Sequence, residues 1–262
     1  MNQTSENALI QKINEIPQFK QKSQEWLSQR MLYLTSSDAA SAMGINPYSK
    51  PEELLFKKCG IAVPFSGNVA TRHGEKYEDE AIEKYCKAFG MKNYEFGLIP
   101  YEKVRRENPI ESYKFLAGSP DGLAVPLNNP TEEPILLEVK CPYRRKPVRG
   151  CCPDYYYPQV QLNMLICDVK RAHFIEYLPF AEASESLTVT AYEIDHAYLS
   201  KWIPVLQKFW GEVMDYRDNG SITEHKNYSK WSERMRKAKA KLQEEKERDD
   251  ADQNYMLGSD SD

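Results

Sequence analysis

The sequence lacks a long hydrophobic segment. No run of about 18 consecutive apolar residues occurs, so we expect no membrane-spanning helix and no membrane partner. Residues 1–20 have no apolar centre, which argues against a secretory signal peptide. An internal repeat is also missing. With 262 residues and a hydrophobic content of 41%, the chain is expected to form a globular protein with one full core and room for a small appendage.

Spacing motifs for zinc and iron–sulfur clusters are absent as well. The six cysteines show no repeated CxxC pattern, and the four histidines form no HxH or HExxH pattern. We therefore expect no zinc and no iron–sulfur cluster. A chain of this size does not need disulfides, so the cysteines are expected to be reduced thiols. This favours a cytoplasmic or nuclear protein over a secreted one.

The chain also lacks an excess of positive charge, because its formal net charge is −4. The deficit is concentrated at the C-terminus, where residues 244–262 hold eight acids and two bases; residues 1–243 therefore carry a net charge of +2. Residues 140–149 contain five bases and no acid. Such a cluster suits a polyanionic substrate, although a solvated surface loop would explain it equally well.

Hydrophobic periodicity predicts an α/β (α+β) fold with a central mixed sheet flanked by helices. The predicted strands are residues 93–102, 113–126, 134–142, 170–179 and 186–195, and the predicted helices lie within 36–44, 50–60, 72–90, 155–168 and 197–220. Ser36 or Ser37 is the expected N-cap of the first of these helices, and Pro204 is expected to interrupt or start the last. We expect one domain over residues 1–224 and a charged tail, helical or disordered, over residues 225–262.

Three charged side chains stand close together in the middle of the chain. Asp121 follows Ser-Pro in SPDG, and Glu138 and Lys140 end the apolar run PILLEVK. Because side chains alternate faces along a strand, Glu138 and Lys140 should share one face. If residues 118–125 and 135–140 pair as a hairpin, the carboxylates of Asp121 and Glu138 meet. The alternative is a surface hairpin with an exposed Glu/Lys pair.

Converging carboxylates suggest a site for a hard divalent cation. Oxygen ligands suit Mg²⁺, with Mn²⁺ as a substitute, and the backbone carbonyl of Val139 is placed to add a further ligand. The ion polarises a phosphate and lowers the pKa of a bound water, and Lys140 beside it stabilises negative charge in the transition state.

Four ordered segments resemble the lambda-type exonuclease family, also called the YqaJ-like viral recombinase family, of the PD-(D/E)XK nuclease superfamily. They are RMLYLTSSDAASAMG, RHGEKYEDEA, SPDG with LLEVKCPY, and YYYPQVQLNM. The resemblance implies a restriction-endonuclease-like core and a Mg²⁺-dependent 5′→3′ exonuclease on the ends of double-stranded DNA. It also implies a single-strand annealing partner, a homotrimer, and a role in DNA recombination, repair or viral genome processing.

The resemblance assigns roles to individual residues. It implies that Asp121, Glu138 and Glu78 are metal ligands, that Lys140 is the catalytic lysine and that Gln159 lines the site. Residues matching the grip on a 5′-phosphate are Arg30, Ser37 and Ser119. Independently, an N-terminal helix turn with Ser37 forms a phosphate cradle, and Arg30 adds a bidentate clamp. Ser37 as a plain N-cap, Glu78 as a solvent-facing acid and Gln159 as a surface residue stay open as alternatives.

The basic run is expected to follow the DNA backbone, and its members are Arg144, Arg145, Lys146 and Arg149. Tyr155, Tyr156 and Tyr157 are candidates for stacking on bases and equally for packing in the core or at an interface. Two other functions remain open at this point: a structure-specific endonuclease on the same core, and a DNA-binding recombination module that does not cleave.

Overall fold

A computed structural model describes residues 7–61 and 67–258. The predicted tail therefore lies only partly within the described residues, since residues 259–262 fall outside them. The helices are α1 (Ala8–Asn14), α2 (Gln24–Met31), α3 (Ala39–Ala42), α4 (Pro51–Lys58), α5 (Val69–Phe89), α6 (Tyr101–Val104), α7 (Tyr157–Cys167), α8 (His196–Asn219) and α9 (Tyr228–Gly258). None of the helices over these described stretches is both long and apolar enough to cross a membrane.

The strands form two sheets. They are β1 (Leu34–Thr35), β2 (Met91–Tyr94), β3 (Ile99–Pro100), β4 (Leu116–Gly118), β5 (Gly122–Pro126), β6 (Ile135–Lys140), β7 (Arg171–Tyr177) and β8 (Leu187–Glu193). The larger sheet has the order β2-β5-β6-β7-β8, in which only β6 and β7 are parallel. The smaller sheet has the order β1-β4-β3. The prediction of a mixed sheet flanked by helices is thus confirmed.

The segment 113–126, predicted as a single strand, forms two strands in different sheets. β4 ends at Gly118 and β5 begins at Gly122. Pro120 lies between them, and its fixed φ and missing N–H stop the ladder. The chain therefore turns at Asp121, which is the residue that this break exposes at a strand end.

The two faces of the larger sheet carry different side chains. On one face, Leu137, Val139 and Cys141 pack with Ala81 and Tyr85 of α5 in the hydrophobic core. On the opposite face, Glu138 contacts Asn163 of α7. The alternation predicted for β6 therefore holds, with apolar side chains towards α5 and charged ones towards α7.

Helix ends follow ordinary capping chemistry, with one correction to the prediction. Thr35, and neither Ser36 nor Ser37, caps the turn that leads into α3, because the Thr35 hydroxyl and the Asp38 carboxylate form a capping box. Gly90 ends α5 in the left-handed conformation, with φ of 63°, as its position predicts. Helix α8 continues through Pro204 without interruption.

The described residues divide into two compact units. The first contains residues 7–51 and 68–210, and includes both sheets with α5 and α7. The second contains residues 52–61, 67 and 211–258, where Trp231 stacks on Phe56 at a centroid distance of 5.1 Å. The division of the chain into a 1–224 domain and a 225–262 tail stays a prediction, but residues 228–258 are helical.

Candidate active site at the end of strand β6

The carboxyl end of β6 gathers the three charged residues singled out in the sequence. Glu138 has no exposed side-chain area and lies 2.5 Å from the Lys140 ammonium, measured between Oε1 and Nζ. The same ammonium donates to the carbonyl oxygen of Val139 at 3.0 Å. Its nitrogen also lies 5.3 Å from the ring centre of Tyr156. Lys140 thus bridges a buried carboxylate and a strand carbonyl.

Asp121 is fixed against the same strand by backbone hydrogen bonds. Its Oδ2 accepts a hydrogen bond from the Val139 amide at 2.6 Å, and its own amide donates to the carbonyl of Leu137. The pairing of Gly122 with Leu137 sets this register. Lys140 Nζ lies 3.8 Å from Asp121 Oδ2. The hairpin therefore brings both carboxylates to one ammonium, as its antiparallel pairing predicts.

Glu78 approaches this group from helix α5. Burial, reinforced by the negative charge of Asp121, raises the pKa of the Glu78 carboxyl to about 7 against the opposing effect of Lys140 and Lys22. Glu78 is half-buried and lies within electrostatic range of Asp121 and Lys140, and its role as a metal ligand stays a prediction. A solvent-facing acid on the helix surface would not feel Asp121 in this way.

Burial and neighbouring charges also shift the pKa values of Glu138, Lys140 and Cys141. Burial raises the pKa of Glu138 to about 7, with Asp121 adding to the shift and Lys140 opposing it. For Lys140, burial disfavours the ammonium, but the attraction of Glu138 and Asp121 outweighs burial and raises its pKa above the ordinary value. Lys140 is accordingly a cation at neutral pH. Burial likewise raises the pKa of the Cys141 thiol to about 12, so this neighbouring cysteine is no nucleophile.

The donor set fits a hard divalent cation. Asp121, Glu138 and Glu78 offer carboxylate oxygens and Val139 a carbonyl, which are the ligands that Mg²⁺ and Mn²⁺ prefer. Over residues 7–61 and 67–258, no three His, Cys, Asp or Glu side chains are already placed to hold a metal ion. Burial is the main cause of the raised pKa values of Glu78 and Glu138, and the negative charge of Asp121 adds to it.

A second polar cluster surrounds Arg30 at the end of α2. The Arg30 guanidinium donates to Ser37 Oγ at 2.7 Å and to Thr35 Oγ1 at 3.0 Å. It stacks over the Trp26 ring at 4.4 Å. Thr35 in turn donates to Asp38 at 2.6 Å. The structure thus brings together Arg30 and Ser37, and adds Thr35, which the sequence reasoning did not include.

The other predicted site residues are less closely tied to these clusters. Ser119 donates its hydroxyl to the carbonyl of Gly97 at 3.0 Å. Gln159 is half-buried in the first turn of α7, and its side chain makes no hydrogen bond within the described part of the chain. Arg145 forms an ion pair with the fully buried Glu176 of β7, whereas Arg144 and Lys146 are exposed. Their contact with DNA stays a prediction.

The three neighbouring tyrosines make internal contacts. Tyr155 meets Tyr48 edge-on at 5.7 Å, and the Tyr157 hydroxyl donates to Asp195 at 3.3 Å. Tyr156 lies against Phe174, with the ring centres 5.6 Å apart. All three tyrosines are half-buried, and stacking on bases stays a prediction.

Asn163 is the residue that sequence reasoning missed. It has no exposed surface, and its Nδ2 donates to Glu138 Oε2 at 3.1 Å. Its Oδ1 is buried without a hydrogen-bond partner among the described residues. Gly118 leaves room for it, since a Cβ there would lie 2.4 Å from Asn163 Oδ1. The signal available in the sequence was one amide inside an otherwise apolar helical turn, LNMLIC.

Comparisons with known proteins agree with this architecture. Residues 25–170 match the family described as the YqaJ-like viral recombinase domain. An uncharacterized protein of Acanthamoeba polyphaga mimivirus is 32% identical over 180 residues, which cover 65% of this chain and 31% of that protein. A protein of African swine fever virus is 24% identical over 169 residues, covering 56% of this chain and 46% of that protein. The chain thus spans less than half the length of either relative.

Solved structures resemble the chain over most of its length. The alkaline exonuclease LHK-Exo from Laribacter hongkongensis gives a TM-score of 0.61 at 21% identity, covering 78% of this chain and 99% of that chain. Its complex with dAMP gives a TM-score of 0.60. At this identity the likeness shows the fold, and it confirms the predicted restriction-endonuclease-like core.

Proposed function

The chain belongs to the YqaJ-like viral recombinase domain family, and from the site that it carries we propose that it is a Mg²⁺-dependent nuclease. Its proposed substrate is the end of linear double-stranded DNA, from which it hydrolyses phosphodiester bonds in the 5′→3′ direction. The observation that carries the proposal is the convergence of Asp121, Glu138 and Lys140 at the end of β6. The alkaline exonuclease from Laribacter hongkongensis, which shares the fold, supports it.

The oxygen donors of this site would hold the cation. Those donors are the carboxylates of Asp121, Glu138 and Glu78 and the carbonyl of Val139. When bound, the ion supplies a Lewis acid for the phosphate and lowers the pKa of a water molecule. The protein keeps these oxygens in place through the Val139 amide, which fixes Asp121, and through Asn163, which holds Glu138.

Lys140 is proposed to supply positive charge and hydrogen-bond donors, and not to act as a general base. Since Glu138 and Asp121 raise the pKa of its ammonium, Nζ keeps its protons at neutral pH. Its N–H groups can donate to a phosphate oxygen as negative charge develops there, in a site where Glu138 is wholly shielded from water. This role requires Nζ to leave Glu138 Oε1 in part when DNA binds.

Arg30 and Ser37 form the proposed pocket for a terminal 5′-phosphate. The guanidinium already holds the Ser37 hydroxyl at 2.7 Å and is braced by the Trp26 ring. A phosphate would receive donors from both side chains. Ser119 is proposed to complete the grip.

The decisive experiment compares linear and closed circular duplex DNA with Mg²⁺ and with EDTA. We expect linear DNA to be degraded only with Mg²⁺, and circular DNA to survive. Asp121→Asn should abolish digestion while keeping the fold, because the amide oxygen can still accept the Val139 N–H bond. Cleavage of circular DNA would instead indicate an endonuclease. Tight DNA binding without degradation under any metal would indicate a non-cleaving module.

Arg30→Lys tests the direction of digestion. Lysine keeps the charge but loses the planar guanidinium, whose Nη2 donates to both Ser37 and Thr35, and with it the bidentate grip on a phosphate. We expect roughly tenfold slower digestion of 5′-phosphorylated ends and little change on 5′-hydroxyl ends, as one charge-assisted hydrogen bond is lost. Equal losses on both ends would contradict the phosphate pocket.

Roles in recombination, repair or viral genome processing are proposed on the family resemblance alone. The same holds for a single-strand annealing partner and for a homotrimer. The cytoplasmic or nuclear location also stays a prediction.

A further inference from the structure

An exposed aromatic patch lies beyond the carboxyl ends of β6 and β7. We use this name for His73, Tyr77, Tyr143 and Phe180. The His73 ring lies 4.8 Å from Tyr77 and 5.4 Å from Tyr143, and Phe180 meets Tyr77 edge-on at 5.7 Å. Because β6 and β7 are parallel, the segments that follow them leave the sheet at the same edge, and both Tyr143 and Phe180 lie near the His73 ring.

The exposure of this patch has no structural explanation. Phe180 is 83% exposed and Tyr143 is 47% exposed. Full burial of such a side chain would stabilise the fold by about 2 kcal/mol. Because these two side chains are exposed, they contribute little of this energy, and packing does not require an aromatic residue at either position. In addition, Nε2 of His73 is buried and has no hydrogen-bond partner within the described stretches. Within the patch, Phe180 and Tyr143 therefore expose aromatic surface to solvent, whereas His73 and Tyr77 are half-buried behind them.

The patch adjoins the candidate active site and is flanked by cations. Tyr77 directly precedes Glu78, and Tyr143 follows Lys140 by three residues, a span of at most ~10 Å. The Lys76 ammonium lies 5.1 Å from the Tyr77 ring centre, and the Arg144 guanidinium lies 5.7 Å from that of Tyr143. Aromatic faces interleaved with cations are the composition by which proteins hold single-stranded nucleic acid.

We propose that the aromatic patch binds unpaired nucleobases of the DNA strand at the active site, which stack on Phe180 and Tyr143. Only unpaired or terminal bases present a free π-face, since bases inside a duplex are covered by their neighbours. The flanking cations favour a polyanion over an apolar protein segment. The inference rests on the proposed nuclease function and extends it by naming a site for single-stranded DNA.

The test uses a short duplex with an unpaired extension that carries 2-aminopurine, whose fluorescence falls when it stacks on an aromatic ring. With EDTA present to prevent digestion, wild-type protein should quench the probe. Phe180→Ala and Tyr143→Ala should each weaken binding of the extension about tenfold and relieve the quench, with less than about a twofold effect on blunt duplex. Phe180→Trp should retain affinity and quench, whereas Phe180→Leu should behave like Phe180→Ala.

The matched control is Phe89→Ala at the other end of α5, where the side chain is 49% exposed, close to the 47% of Tyr143. This variant should change neither affinity nor quench. Full affinity in Phe180→Leu would overturn stacking. If Phe180→Ala changes the mass measured by sedimentation but leaves the quench as in wild type, the patch is a contact between copies of the chain, and the proposal is overturned as well. If wild-type protein degrades linear DNA but does not quench the probe, this inference alone fails. If it neither degrades nor binds DNA, the proposed function fails with it.

Discussion

At the scale of single residues, Asn163 is the side chain on which the placement of Glu138 depends. It donates to the carboxylate that Lys140 contacts from the other side, and Gly118 provides the space it occupies. A hydrogen bond to a ligand carboxylate orients it and tunes its affinity for metal. Asn163 is thus a positioning residue for the proposed cation site.

Asn163→Ala should weaken Mn²⁺ binding roughly ten- to hundredfold and lower kcat by a similar factor, with KM for DNA nearly unchanged. Calorimetric titration with Mn²⁺ and steady-state digestion measure the two effects. Gln161→Ala is the control: Gln161 is equally buried in α7, but it bonds Glu193 and Asp195, so its loss should reduce stability and spare Mn²⁺ affinity.

Gly118→Ala gives the same prediction from the opposite side. Its Cβ would meet Asn163 Oδ1 at 2.4 Å and displace the amide from Glu138. The double variant with Asn163→Ala should bind Mn²⁺ no more weakly than Asn163→Ala alone, because the clash disappears with the side chain. Additive losses would show that Gly118 acts elsewhere.

The sequence predicted the central residues because their geometry is local. Glu138 and Lys140 are two apart on a strand, and Asp121 is one hairpin away, so alternation and pairing alone bring them together. Asn163 escaped because it lies 25 residues from Glu138, and only the packing of α7 against the sheet joins them. The sequence predicted Ser36 or Ser37 as the N-cap instead of Thr35 because any of these three hydroxyls can cap a helix.

At the scale of elements, the contact between α5 and β7 includes a histidine whose protonation at low pH destabilises the folded protein. His173 Nδ1 lies 2.7 Å from the Tyr85 hydroxyl, and Phe89 covers its ring. Burial, followed by repulsion from Arg171, lowers the pKa of His173 below its ordinary value of 6.5. The unfolded chain therefore binds a proton here more readily than the folded protein. Stability present above pH 6.5 is lost as pH falls through the folded-state pKa.

His173→Gln should flatten this part of the stability curve. We expect the free energy of unfolding to fall less steeply below about pH 6.5 in the variant than in wild type, because glutamine takes up no proton in either state. Urea denaturation across this range measures the difference. His196→Gln, at an exposed position, should follow the wild-type curve. Parallel curves for His173→Gln and wild type would contradict the prediction.

The sequence predicts whether a segment is a helix or a strand where the hydrophobic pattern extends over many residues. It does not predict where an element ends when a turn interrupts the pattern. Helix α5 and strand β6 follow their patterns closely. The two-residue β1 and β3 and the three-residue β4 are held by pairing with one another, and such short strands carry no pattern of their own.

At the scale of the whole molecule, the described residues divide into two compact units, and each has its own group of buried apolar side chains, which we call its hydrophobic centre. In the second unit, residues 52–61 pack with a segment more than 150 residues later in the sequence, as the bond from Trp231 Nε1 to the Ile61 carbonyl at 2.9 Å shows. No local sequence pattern indicates a contact between residues so far apart, so the sequence alone does not predict it.

Trp231→Ala tests whether this second centre is a separate cooperative unit. Trp231 is 9% exposed and stacks on Phe56, so truncation should destabilise its unit by about 3 kcal/mol. Hydrogen exchange should then speed up in the amides of residues 52–61 and 228–240, while those of β6 and β7 keep their protection, since units with their own cores open independently. Trp231→Phe, which keeps a stacked ring and loses only the bond to Ile61, should show a smaller effect. Equal loss of protection in β6 would show that the chain unfolds as one unit and that the second centre has no stability of its own.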